Sequence, residues 1–184
     1  MYSLSIDQSF KDTATKNRHL STTHSIDVAL RRFVETNNIF GQSFVVTGSS
    51  CAHYMNYFGL VVFKDVDIFI PDRTNDAAIT KTHKIDLLPR CILPEGWEGR
   101  MWTKNGFRFF DAFDLTVQEA MGAMYKGSPK HYAYVAELLR YTKLTPTDVC
   151  DVLLQTLLSS TSTATPEEVD SVRRAVVSFH ARLG

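Results

Sequence analysis

Two aspartates, Asp65 and Asp67, stand two residues apart in a largely apolar stretch of the chain. Residues two apart on a β-strand point to the same face, so both carboxylates are expected opposite Val66, Ile68 and Ile70. Adjacent carboxylates repel each other unless a positive group lies between them. A divalent cation is the usual partner, and oxygen ligands suit Mg²⁺, which binds one or two carboxylates together with substrate phosphates and water. The pair therefore predicts a magnesium site.

A turn of three small residues, Gly48, Ser49 and Ser50, precedes this pair, between an apolar run at 44–47 and a helical pattern at 51–58. Free backbone N–H groups and the positive end of a helix dipole favour a phosphate there, and small side chains let it approach closely. An ordinary tight turn with a serine cap is the alternative. Because the aspartate pair follows, we predict that these three residues bind a nucleotide phosphate.

The stretch 44–70 resembles the minimal nucleotidyltransferase superfamily, also called polymerase-β-like. The family pattern is a strand, a Gly-Gly or Gly-Ser turn, a helix and Asp-x-Asp on the next strand, with a third carboxylate on a later strand. Here the turn is Gly48-Ser49 and the pair is Asp65 and Asp67, with a longer gap than the common spacing. The later helices resemble the tails of stand-alone bacterial and phage nucleotidyltransferases, including the toxins of type IV toxin–antitoxin systems.

Three aspartates compete for the place of the third carboxylate. Asp86 is favoured because Ile85 and Leu87 would face the core while Asp86 points to the other face. Asp111 is a second candidate. Asp114 is expected instead to cap the first helix of the tail.

The resemblance implies transfer of a nucleotide from a nucleoside triphosphate to an acceptor hydroxyl, with pyrophosphate leaving. Two metal ions can clamp the attacking and leaving oxygens of such a reaction. By resemblance, Asp65 and Asp67 bridge two Mg²⁺ ions, for which Mn²⁺ could substitute, and Asp86 holds the ion nearer the acceptor. The acceptor is expected to be an RNA 3′ end such as that of tRNA, or a protein side chain. A small molecule such as an antibiotic ranks lower, because the chain lacks a second large acceptor-binding domain.

Two lysines are further candidates for contact with the triphosphate. Lys64 immediately precedes Asp65, and Lys126 lies where relatives often carry a lysine on the first tail helix. A solvated surface lysine is the alternative for both. Five aromatic residues could form a base-stacking wall, although core packing is the more common role: Trp97, Trp102, Phe107, Phe109 and Phe110.

A second class of function is a catalytically inactive nucleotidyltransferase-like scaffold. Such a protein would bind a partner protein through its helical tail, whose last helices carry apolar residues including Val149, Leu153, Val176 and Phe179. The presence of Asp65 argues for activity, together with the other candidate carboxylates, because a decayed site often loses them.

Composition places the chain among ordinary globular proteins. It has 184 residues, of which 44% are hydrophobic and 22% charged, and its formal net charge is zero. A large nonspecific nucleic-acid surface is therefore not implied. No apolar run approaches a membrane span, no secretory signal is expected, and three widely spaced cysteines suggest reduced thiols in a cytoplasm.

Hydrophobic periodicity predicts an α/β fold, with a small mixed sheet followed by helices alone. We expect a flexible arm at 1–22, a nucleotidyltransferase-like core at 23–114 and a helical tail at 115–184. The Thr165-Pro166-Glu167-Glu168 run is a strong helix start. Predicted helices lie at 25–36, 51–58, 75–81, 115–125, 130–141, 146–158 and 166–183, and strands at 44–47, 65–70, 83–88 and 107–110, with a further short strand near 101.

Overall fold

The computed structural model describes residues 23–57, 64–71, 79–88, 91–160 and 165–183. The predicted arm at 1–22 lies outside these ranges, as do residues 75–78 of one predicted helix, and residues 79–81 are not helical. Helices of the described chain are α1 (Thr23–Asn37), α2 (Gly48–Tyr54), α3 (Trp97–Arg100), α4 (Ala112–Lys126), α5 (Pro129–Thr142), α6 (Pro146–Ser160) and α7 (Pro166–Leu183). Strands are β1 (Val45–Thr47), β2 (Val66–Phe69), β3 (Ile85–Leu87), β4 (Trp102–Lys104) and β5 (Phe107–Phe109).

These elements confirm the predicted fold class, a mixed α/β protein with a C-terminal helical segment. The chain divides into two compact units. The first comprises the described parts of Met1–Pro89 together with Thr103–Phe109, and the second those of Arg90–Trp102 and Phe110–Gly184. None of the helices in the described ranges is long and apolar enough to cross a membrane.

The mixed sheet has the strand order β3-β2-β1-β5-β4 and, apart from Trp102, belongs to the first unit. β1 runs antiparallel to β2 and parallel to β5, and β2 runs parallel to β3. All three residues of β1 are buried, as expected for a central strand covered on both faces. Asn105 and Gly106, with φ of 51° and 84°, turn β4 into β5, and a two-residue hairpin loop of this kind needs positive φ at both positions.

Helices α1 and α2 pack against the strands of the first unit. Ile26, Leu30 and Phe33 recur at helical spacing on α1 and are fully buried. The ring of Phe33 meets that of Phe44 edge-on at a centroid distance of 5.5 Å. This apolar contact fixes α1 over the start of β1 and so positions the turn that follows the strand.

Tyr54, the last residue of α2, ties that helix to two other parts of the first unit. Its hydroxyl donates to Asp27 Oδ1 of α1 at 2.6 Å and accepts from Asn105 Nδ2 at 2.7 Å. Its ring stacks on Phe109 at 4.5 Å. Burial, followed by the hydrogen bond to Asp27, raises the pKa of Tyr54 to about 12. The phenol is therefore a hydrogen-bonded structural group at neutral pH.

The second unit contains a helical core in which α4 packs against α5, α6 and α7. Its largest fully or nearly fully buried side chains include Leu153 and Phe179. The predicted start of α7 is confirmed, because the Thr165 N–H donates to Glu168 Oε2 at 2.7 Å and the Glu168 N–H donates to Thr165 Oγ1 at 3.3 Å. This reciprocal pair is a capping box.

The first tail helix begins earlier than predicted. Asp111, not Asp114, is its N-cap, and the Asp111 carboxylate accepts from the Asp114 N–H at 2.8 Å. Asp114 lies in the first turn of α4, is fully buried, and pairs with Arg100. The expectation that Asp114 caps the helix was therefore wrong. Asp111 caps the free N–H group, and the buried Asp114 carboxylate is stable inside the first turn because it has a guanidinium partner.

Asp111 is expected to make the stability of the protein depend on pH. Burial, and then the nearby Asp114 carboxylate, raise the pKa of Asp111 to about 6. Its ordinary value is near 3.8, so between pH 4 and 6 the folded chain binds this proton more tightly than the unfolded chain does, and stability falls as pH rises through that window. Asp111→Asn keeps a capping oxygen without the charge. Between pH 4 and 7, the free energy of unfolding of the wild type should fall by about 1 kcal/mol relative to that of the variant. The change is this small because solvent screens the half-buried carboxyl group.

Urea unfolding at a series of pH values measures this difference. Asp151→Asn, at an exposed aspartate of α6, is the control and should follow the wild type. Parallel profiles for the wild type and Asp111→Asn would contradict the assignment.

Candidate active site

Asp67 rests directly on the small-residue turn. Antiparallel pairing of β1 and β2 sets Asp67 opposite Thr47, and Gly48 follows Thr47 as the first residue of α2. A Cβ atom added to Gly48 would overlap Asp67 Oδ2. Glycine is thus required twice at this position, by the approach of the carboxylate and by a φ of 62°.

Gly48→Ala should destabilise the protein more than an alanine at another left-handed glycine. At Gly106, φ is 84° and an added Cβ would meet nothing within 4 Å, so Gly106→Ala carries the backbone cost alone, about 1–2 kcal/mol. In Gly48→Ala the new methyl group must also displace the Asp67 carboxylate. We therefore expect Gly48→Ala to lower the free energy of unfolding by at least about 1 kcal/mol more than Gly106→Ala does. Urea unfolding of both variants gives the comparison.

Asp67→Ala supplies the internal control for this prediction. Removing the carboxylate removes the atoms that an alanine Cβ at position 48 would overlap, so Gly48→Ala should cost less in the Asp67→Ala background than in the wild type. Equal costs in the two backgrounds would show that the carboxylate does not press on the turn.

Asp86 lies beside Asp67. Parallel pairing of β2 and β3 sets Asp67 and Asp86 in register. Adjacent strands lie about 4.8 Å apart, and paired residues point to the same face of a sheet. Two of the three predicted carboxylates therefore lie next to each other, beside the turn at Gly48.

Asp65 is placed less regularly than the sequence predicts. The strand begins at Val66, and Lys64 and Asp65 form a bend before it. Val66 and Ile68 are fully buried, as predicted, and Asp65 is half-buried. Because Asp65 precedes the strand, strand alternation does not set the direction of its side chain. Lys64 is exposed.

Lys81 provides a positive partner for Asp86 that sequence analysis missed. Its Nζ lies 3.0 Å from Asp86 Oδ1, and the two side chains are 64% and 49% exposed. The two residues are five apart and joined by a turn, so neither strand nor helix periodicity signals their contact. The turn, at His83 and Lys84, is recognisable only from the structure, since Lys84 adopts a φ of 73°.

The serines of the turn are buried. Ser50 is fully buried and its hydroxyl donates to the Thr47 carbonyl at 3.0 Å, while Ser49 is 5% exposed. The Ser50 hydroxyl is therefore engaged within the protein, and Gly48 is buried as well. With seven residues, α2 is too short to make a phosphate site by its dipole alone. Phosphate binding by Gly48, Ser49 and Ser50 stays a prediction.

The carboxylates fit the oxygen chemistry of Mg²⁺ but not a cage of three ligands. Among the residues that the structure describes, no three side chains of His, Cys, Asp or Glu form a group that could hold a metal ion. Asp86 already contacts Lys81. The donor set suits a cation held by one or two carboxylates and completed by phosphate oxygens and water, as is common for Mg²⁺.

The other predicted site residues are distributed over both units. Lys126 ends α4 in the second unit and is exposed, and Asp111 in the same unit is occupied as a helix cap. Of the five aromatic residues, Phe107, Phe109 and Phe110 are core residues, with at most 4% exposure. Trp97 is half-buried, whereas Trp102 is 58% exposed.

Comparison of the chain with protein-family models, with curated proteins and with solved structures found no match. No family assignment follows from these comparisons.

Proposed function

We propose that the chain is a nucleotidyltransferase that moves a nucleotide from a nucleoside triphosphate to an acceptor hydroxyl with the help of Mg²⁺. One observation carries the proposal: the Asp67 carboxylate packs on Gly48 and stands in register with Asp86. Two neighbouring carboxylates beside a glycine turn supply oxygen ligands for a divalent ion, which nucleotidyl transfer can use. The resemblance of the sequence supports the same function.

Each part of the site has a physical task in this proposal. Asp65 and Asp67 supply oxygen ligands for a divalent ion, which when bound offsets the charge of the triphosphate. Gly48 leaves room for the Asp67 carboxylate at the turn. Lys64, exposed before β2, remains a candidate for contact with phosphate. An RNA 3′ end or a protein side chain is the proposed acceptor, ahead of a small hydroxylated molecule.

Transfer of label tests the proposal. Each of the four α-³²P nucleoside triphosphates is incubated with Mg²⁺, the full chain and either total RNA or total protein. Label that appears with the wild type and not with Asp65→Ala/Asp67→Ala supports nucleotidyl transfer and identifies the acceptor class. Absence of label in both fractions, together with no effect of triphosphate and Mg²⁺ on stability, would overturn it.

The inactive scaffold is a second candidate, and the pairing of Lys81 with Asp86 favours it. A carboxylate that already has a cationic neighbour needs no metal ion to offset its charge. Melting temperature separates the two candidates. A site that binds triphosphate and Mg²⁺ is stabilised by about 2.7 kcal/mol at a hundredfold excess over Kd, whereas a scaffold without the site is not stabilised.

A further inference from the structure

We propose that Lys81 acts as a built-in cation at Asp86, in the place where the resemblance expects a second metal ion. The site then takes one divalent ion for each bound triphosphate instead of two. This inference rests on the proposed function and concerns how the same site is charged.

A tight turn places Lys81 at Asp86. The Ile85 N–H donates to the Thr82 carbonyl at 3.2 Å, which closes the turn, and Lys84 within it has a φ of 73°. The Lys84 carbonyl in turn accepts from the Val66 N–H at 2.7 Å, which joins the turn to β2. The chain thus reverses just before β3, and Lys81 on the incoming side reaches the first polar residue of the strand.

The segment that carries Lys81 is anchored on both sides of this residue. Asn37, at the end of α1, donates from Nδ2 to the Thr80 carbonyl at 3.0 Å and accepts on Oδ1 from the Thr80 N–H at 2.6 Å. Thr82, on the other side, is 9% exposed. With Thr80 and Thr82 held, the backbone of Lys81 is fixed, so pairing with Asp86 costs only the entropy of the lysine side chain.

The charges around Lys81 explain why it would exclude a second ion. Asp67 and Asp86 stand in register on strands about 4.8 Å apart, and two carboxylates so close repel each other. The ammonium group of Lys81, 3.0 Å from Asp86 Oδ1, offsets that repulsion. A divalent ion bound to the same carboxylate would face this ammonium group directly, and like charges at such a distance disfavour binding.

Equilibrium dialysis of the full chain tests the inference without measuring activity. The probes are Mn²⁺ and the four α,β-methylene nucleoside triphosphates, which cannot be transferred, each used in turn. We expect the wild type to retain about one Mn²⁺ for each nucleotide bound. Lys81→Gln should retain about two, and Lys81→Gln/Asp86→Asn should return to one because the second ion needs the freed carboxylate.

Lys84→Gln is the matched control. It removes one lysine charge from the same turn but keeps the ammonium group of Lys81 at Asp86, so it should behave as the wild type. Two Mn²⁺ per nucleotide in the wild type, or one in Lys81→Gln, would overturn the role of Lys81 while leaving the proposed function intact. A different result would overturn the proposed function and this inference together. In that result the wild type binds no Mn²⁺ in the presence of nucleotide, and Asp67→Asn behaves in the same way.

Discussion

Asp67→Asn is expected to reduce nucleotide transfer about 10³-fold, which corresponds to about 4 kcal/mol of lost transition-state stabilisation. Asparagine keeps the shape of the side chain on Gly48 but loses the charge that attracts a divalent cation. The carboxylate stands between the Gly48 turn and Asp86, so its loss affects both sides of the candidate site. The initial rate of α-³²P transfer measures the effect, and the stabilisation by Mg²⁺ and triphosphate should disappear with it.

Glu35→Gln is the control for Asp67→Asn, because Glu35 is an exposed carboxylate on α1 of the same unit. It should retain the wild-type rate within about twofold, since surface substitutions away from a site have small effects. A transfer rate in Asp67→Asn within a few-fold of the wild type would remove Asp67 from the reaction. Urea unfolding of Asp67→Asn shows whether any loss of rate comes from loss of the fold.

Local patterns predicted the elements that carry the candidate site. Apolar runs predicted β1 and the buried face of β2, because strand period is a property of neighbouring positions. The helix after β1 was predicted at 51–58, but α2 begins at Gly48, so the predicted Gly-Ser turn is the first turn of that helix. The resemblance placed a third carboxylate on a later strand, and alternation favoured Asp86, but neither predicted that Asp86 stands in register with Asp67. Periodicity does not set the register of one strand against another, which depends on residues far apart in the sequence.

Contacts between distant residues account for what the sequence did not reveal. Lys81 meets Asp86 across a turn closed by a lysine in a left-handed conformation, where glycine is the usual signal. Arg100 reaches Asp114 across fourteen positions and lies on a helix of four residues that no periodic pattern marks. Without that partner, Asp114 resembled an ordinary helix cap.

Arg100→Ala is expected to lower the free energy of unfolding by about 3–5 kcal/mol, because it leaves the fully buried Asp114 without its partner. The guanidinium holds both carboxylate oxygens, from Nη2 to Oδ1 at 2.6 Å and from Nε to Oδ2 at 3.1 Å. Its Nη1 also donates to the Glu95 carbonyl at 3.0 Å, and the group lies 5.1 Å from the centroid of the Phe113 ring. The hydrogen bond with Asp114 raises the pKa of Arg100, so the guanidinium stays charged.

A matched pair and a double-mutant cycle decide whether burial is the cause. Arg140→Ala breaks the bond to Glu137 in the same unit, where the arginine side chain is 70% exposed, and should cost no more than about 1 kcal/mol. Asp114→Asn removes the buried charge itself, so Arg100→Ala should cost less in that background than in the wild type. If Arg100→Ala costs as little as Arg140→Ala, the Asp114 charge is satisfied without Arg100. The segment at 91–102 would then owe its place beside α4 to apolar contacts such as that of Trp97 with Phe110, whose centroids are 5.9 Å apart.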